Sequence, residues 1–262
     1  ATQRRPIELD ANQKALVTSR TKSGYRRIKG AAGSGKSLVL AARAAELVSE
    51  GKRVLVITFN ITLIHYLMDI AVRWPNKTGN TRKQVVWLNF HSWCRRICEE
   101  ADCEEEYKAL WSNEEDMQKV LSELLPGLVA RILNTDPDIE KFDAVLVDEG
   151  QDFMPSWWSV LRKICKPDGE MLLVADATQD IYETASSWTD EAMKGAGFAG
   201  SWAELPVSYR LPQEVLKIAS SFAETYLPGK DTALPVREQS ALELEPTHLK
   251  WVQVTEQNAA AA

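Results

Sequence analysis

The chain has 262 residues, 45% hydrophobic and 26% charged, which suits one large domain or two small ones and excludes a disordered, collagenous or low-complexity chain. No apolar run approaches the roughly 18 residues of a membrane span, no charged-then-apolar leader opens the chain, and four cysteines make no disulfide scaffold; a reducing, cytoplasmic setting without membrane contact is expected. The net charge of −6 hides an asymmetry, because residues 1–96 carry 18 Lys+Arg against 5 Asp+Glu and residues 97–262 carry 13 against 32. Either a polyanion is drawn to the first part, or the two parts neutralise each other across an interface.

In chain order, apolar β-branched runs alternate with helical patterns, the signature of a parallel sheet flanked by helices. The expected strands are 25–28, 54–58, 85–89, 144–147 and 172–175, several of them continuous apolar runs of the kind covered on both faces. The expected helices are 11–19, 36–49, 61–72, 91–100, 114–125, 155–164 and 213–226. Pro126-Gly127 is expected to stop the fifth, with a short further turn before Leu133. Residues 95–141 hold no strand pattern and read as a small helical insertion. Beyond about residue 228, prolines 228, 235 and 246 weaken the pattern, leaving one short candidate strand at 249–254.

Two strings carry chemistry. Gly30-Ala31-Ala32-Gly33-Ser34-Gly35-Lys36-Ser37 fits G-x-x-x-x-G-K-S between a strand and an alanine-rich helix. Glycines there let backbone N–H groups converge on a phosphate, the helix N-terminus adds positive potential, Lys36 reaches the β/γ-phosphates and Ser37 ligates Mg²⁺. The second string, Asp143-Ala-Val-Leu-Val-Asp148-Glu149, is a buried-type strand ending in two carboxylates at the edge where α/β sheets bind ligands. Asp148 suits the Mg²⁺ shell, and Glu149, sent elsewhere by side-chain alternation, suits activation of the attacking water. His91, Cys94, Cys98 and Cys103 have spacings that fit neither paired zinc pattern and read as reduced thiols beside a histidine.

With these in place, the chain resembles the UvrD/Rep/PcrA-like superfamily 1 helicases. Asp148-Glu149-Gly150-Gln151-Asp152 is similar to that family's D-E-x-Q-D motif. Five further colinear stretches resemble its other motifs: Gln13, residues 54–63, Asn89-Phe90-His91-Ser92-Trp93, residues 173–182 and residues 207–212. The resemblance implies a RecA-like P-loop fold with ATP and Mg²⁺ as cofactors. It implies that Gln13 recognises adenine, Tyr209 stacks on it, Gln179 senses the γ-phosphate with Gln151 and Asp152 in the same relay, and Arg210 donates to the γ-phosphate. It also implies that Phe59, Asn60, His91, Ser92 and Tyr182 line a groove for single-stranded DNA, with RNA possible. The tryptophans at 93, 157, 158 and 188 read as packing.

Ala175 and Ser208 depart from the family's usual glycine and asparagine, and nothing after Arg210 resembles its later motifs. The expected organisation is a RecA-like lobe over 1–94 and 142–206, the helical insertion at 95–141, and an incomplete second lobe at 207–258. A fragment of a longer helicase, favoured by the missing initiator Met, or a reduced relative would look like this. The D-E-G-Q-D-F wording hints at a nuclease domain or subunit as partner. Besides a translocase or helicase, a nucleic-acid-gated ATPase switch without unwinding stays open. A P-loop kinase is disfavoured by the D-E-G-Q-D string and by Tyr209-Arg210.

Overall fold

The five apolar runs become the centre of one six-stranded, all-parallel sheet. The computed structural model describes residues 6–30, 32–75, 81–112, 117–175, 197–198 and 200–209, with isolated positions between 215 and 225. Its strands are β1 (Tyr25–Gly30), β2 (Val54–Thr58), β3 (Val85–Asn89), β4 (Phe142–Asp148), β5 (Cys165–Ala175) and β6 (Ala203–Leu205), in the order β3-β2-β4-β5-β1-β6. The α/β RecA-like P-loop fold is therefore the one expected. The strand before the glycine-rich loop and the strand that ends in Asp148 are separated by β5. In register, Thr58 of β2 lies beside both Asn89 of β3 and Asp148 of β4, so these strands finish at one edge.

The continuous apolar runs have a simple cause. Within β2, Leu55 and Ile57 join one hydrophobic cluster while Val54 and Val56 join the other; β4 splits the same way, with Val145 and Val147 against Ala144 and Leu146. Side chains alternate along a strand, so an uninterrupted apolar run means that both faces are covered. One face carries α1 (Ala11–Thr18), α2 (Lys36–Ser49) and α3 (Leu63–Val72). The other carries α5 (Phe90–Glu100), α8 (Leu125–Thr135) and α9 (Pro155–Ile164), so buried residues of the 95–141 stretch belong to the same core as the sheet. The short α4 (Thr81–Gln84) precedes β3.

The insertion is helical as expected, with an additional helix α6 (Glu104–Ser112) and a short α7 (Met117–Lys119). Its end corrects the sequence reading. Pro126-Gly127 does not stop the chain's helical course, which runs on to Thr135. The reason is a π-turn at Val120–Leu124, whose widened geometry directs the Leu125 N–H to the Val120 carbonyl. The widened turn and the missing proline N–H leave two carbonyls to satisfy, and α9 supplies both donors. Trp157 Nε1 donates to Leu121 O at 2.9 Å, and Ser156 Oγ to Ser122 O at 2.6 Å.

Ion pairs between the basic first part and the acidic second part do form. Lys29 pairs with Glu204 at 2.9 Å, Arg53 with Glu140, and Arg43 with Glu170. The last is buried and bidentate, with Nε–Oε1 at 2.8 Å and the second contact at 2.6 Å, and Arg43 also donates to Val17 O. Part of the charge asymmetry is thus spent inside the fold. The expected helix 213–226, apart from a few helical positions, and the strand 249–254 lie outside the described residues. No helix among the described residues is long and apolar enough to cross a membrane.

Candidate functional site

The glycine-rich loop leaves β1 and enters α2 with Gly33 and Gly35 both at positive φ, 79° and 87°. Position 35 needs glycine twice over, because an added Cβ would also stand 2.4 Å from the Gln13 amide nitrogen. Gly35 is the N-cap of α2 and offers no side chain to the first-turn N–H groups. A helix start left open in this way is an anion site. Lys36 is nearly buried and reaches back across the loop, donating to Gly30 O at 2.6 Å.

At the end of β4, Asp148 is 1% exposed. Its carboxyl accepts from the Ser37 hydroxyl and, at 3.0 Å, from the Glu149 backbone N–H. Burial and the adjacent Glu149 push it up to about 7, against the pull of Ser37 and Lys36. Its Oδ2 is buried without a hydrogen-bond partner among the described residues. An orphaned carboxylate oxygen beside a serine hydroxyl is a hard-oxygen donor set, and it fits Mg²⁺.

Glu149 does not simply alternate away from Asp148. The strand ends at Asp148, and Glu149 takes a left-handed conformation (φ 52°, ψ 44°) that opens the short 3₁₀ turn Gly150–Asp152. The turn therefore sets its direction, in a backbone region that a non-glycine residue occupies at some cost in strain. Gln151 Nε2 donates to Glu149 Oε2 at 2.6 Å, and burial together with Glu149 raises the carboxyl of Asp152.

The region expected to meet the base is built around a residue that the sequence reading missed. Asp10 caps α1 in a reciprocal box, with its carboxylate accepting from Gln13 N and Gln13 Oε1 accepting from Asp10 N. The D-x-x-Q spacing was the available signal. Gln13 Nε2 then donates to Ser34 O at 3.0 Å, fastening α1 to the loop. Tyr209 bonds to Asp10 through its hydroxyl and donates its N–H to Gly33 O at 3.0 Å, while Ser208 Oγ donates to Ala32 O. Gln13, the loop and Tyr209 are thus one connected assembly.

Four of the expected strand-binding residues, Phe59, Asn60, His91 and Ser92, follow the adjacent strands β2 and β3 at the same sheet edge. Phe59 and Asn60 follow β2; Phe59 is 41% exposed, and Asn60 Oδ1 accepts from the Thr62 N–H and hydroxyl. His91 and Ser92 open α5, where Asn89 caps the Ser92 N–H at 2.8 Å. Burial lowers His91 from its ordinary value, which keeps the imidazole neutral near pH 7. Cys94, Cys98, Cys103 and Cys165 are free thiols, and no metal-binding group of His, Cys, Asp and Glu occurs among the described residues. Ala31, Gln179, Tyr182 and Arg210 lie outside the described residues.

The family model described as an AAA domain, AAA_19, matches residues 13–185. The chain belongs to this family. The match runs from Gln13 past Asp148-Glu149, so the AAA domain contains the loop, the buried aspartate and the ends of β2 and β3 together. Membership makes the chain a nucleotide-binding P-loop NTPase domain of the ATPase class, helicase-like and of the superfamily 1 kind. No curated protein matches it.

Proposed function

We propose that this AAA domain is the ATP-binding and hydrolysing N-terminal portion of a UvrD/Rep/PcrA-like translocase or helicase that moves on single-stranded DNA. The observation that carries the proposal is the meeting of the Ser37 hydroxyl with the buried carboxyl of Asp148, beside a left-handed Glu149. It brings the two ends of a triphosphate-cleaving site together from distant parts of the chain.

In this reading the open start of α2 and the loop N–H groups bind the triphosphate, and Lys36 turns from Gly30 O to the β/γ-phosphates. Ser37 and Asp148 hold Mg²⁺, which when bound neutralises charge on the phosphate oxygens. Glu149 orients and deprotonates the attacking water, Gln151 holds its carboxylate, and Gln13 and Tyr209 bracket the adenine. Gln179 senses the γ-phosphate, and Arg210 donates to its equatorial oxygens. Phe59, Asn60, His91, Ser92 and Tyr182 take the strand. Each stacked base contributes about 1–3 kcal/mol irrespective of sequence, which suits a motor that must pass over any base. The division into a RecA-like lobe (1–94 and 142–206), an insertion (95–141) and the start of a second lobe (207–258) belongs to the same reading. So do a cytoplasmic location and a nuclease domain or subunit as partner.

The test compares ATP turnover by the wild type, Lys36→Ala and Glu149→Gln, with and without oligo(dT), alongside strand separation on a tailed duplex. Lys36→Ala is expected to abolish turnover, whereas Glu149→Gln retains ATP binding and stops hydrolysis. Equal turnover by the wild type and Glu149→Gln overturns the catalytic assignment. DNA-stimulated turnover without strand separation by the full-length protein converts the reading to a gated ATPase switch.

A further inference from the structure

Trp157 is 1% exposed, yet it touches both functional parts of the site. Its indole stacks on Phe90 at 4.1 Å between centroids, with 7° between the planes. His91 meets it edge-on at 5.1 Å, and Phe59, the exposed aromatic at the end of β2, lies nearly parallel to it at 6.3 Å. On the other side of its contacts, Phe153 packs against the indole at 5.4 Å. Phe153 closes the 3₁₀ turn that Glu149 opens, with its N–H on Gly150 O and the Asp152 N–H on Glu149 O. The Nε1–H to Leu121 O bond ties the indole to the π-turn at Val120–Leu124.

We propose that Trp157 is a positioning residue that couples occupancy of the strand groove to the placement of Glu149. The inference deepens the functional reading above and rests on it. A base stacking on Phe59 or touching His91 loads two of the rings around the indole. Packed interiors respond to such displacement by concerted shifts rather than by local compression. The shift reaches Phe153, and through the three-residue turn it reaches a carboxylate already held in a left-handed conformation. A small rotation there decides whether Glu149 faces the attacking water.

The experiment measures steady-state ATP turnover of Trp157→Leu and Trp157→Phe, with and without saturating oligo(dT), together with oligo(dT) affinity by anisotropy and a thermal melt. The readout is the ratio of DNA-stimulated to unstimulated kcat. A merely structural role lowers both rates and leaves that ratio alone. Coupling through the indole lowers the ratio by about fivefold in Trp157→Leu and about twofold in Trp157→Phe, in the range that positions between two coupled sites modulate. Oligo(dT) affinity is expected to stay within about threefold of wild type, since the indole itself is buried. Trp157→Phe keeps an aromatic ring in the core and carries the test if the leucine variant does not fold. A wild-type ratio in either folded variant overturns the coupling and leaves the functional reading standing. A wild type that oligo(dT) neither binds nor stimulates overturns the functional reading, and the coupling falls with it.

Discussion

The Tyr209 hydroxyl and the Gln13 backbone N–H bind the two oxygens of one carboxylate, that of Asp10. A single N-cap residue therefore organises both of the groups expected to flank the adenine, although Asp10 and Tyr209 stand 199 positions apart.

The first prediction concerns this carboxylate. Asp10→Ala removes the cap of α1 and the Tyr209 partner, and is expected to cost about 1 kcal/mol of stability. It is also expected to raise the KM for ATP with a smaller effect on kcat, because Gln13 and Tyr209 lose their common anchor. Asp10→Asn keeps the cap and is expected to recover most of the stability. Urea titration and steady-state kinetics check both; an unchanged KM in Asp10→Ala dissociates the cap from the base site.

Gly35→Ala tests the loop. Its φ of 87° disfavours any Cβ, and the 2.4 Å approach to the Gln13 amide forces that side chain aside. The expected cost is about 1–2 kcal/mol in the thermal melt. Titration with a fluorescent ATP analogue is expected to show binding weakened by about tenfold or more, since displaced loop N–H groups no longer converge.

Strain at Glu149 can be tested from two sides. Glu149→Gly relieves the left-handed conformation and is expected to raise stability by about 1 kcal/mol. The same variant loses the carboxylate and is expected to lose turnover. A melt that shifts downward, or turnover that survives, contradicts the assignment of this backbone to function.

The buried Arg43–Glu170 pair ties α2 to β5 on the face of the sheet that α2 covers. Glu170→Ala leaves the guanidinium buried without its bidentate partner, and removing one member of such a pair costs about 3–5 kcal/mol. Chemical denaturation with an unchanged slope and a lower midpoint is the expected result. Nucleotide affinity of the remaining folded protein should stay near wild type, because Glu170 lies away from the loop.

The strands at 54–58 and 85–89 and the helix that begins at Lys36 were legible to the residue, for two reasons. Burial on both sheet faces writes itself as an unbroken apolar run, and a phosphate loop writes itself as glycines at fixed spacing. The Pro126 turn was not legible in the same way. Local rules say that proline ends a helix, and only the donors on Ser156 and Trp157, more than 30 positions away, let the chain continue. Residues 179, 182 and 210 rest on their motifs alone.

The chain's own letters determined where phosphate and carboxylate chemistry is expected, because loop glycines, a terminal lysine-serine pair and acids after an apolar strand are local demands of that chemistry. Tertiary structure alone decided that Ser37 reaches Asp148 and that Asp10, paired with Gln13 by local spacing, also anchors Tyr209. Each of these depends on strand order and on contacts between segments far apart in the chain, and no local pattern records the distance between two such segments once the sheet has formed.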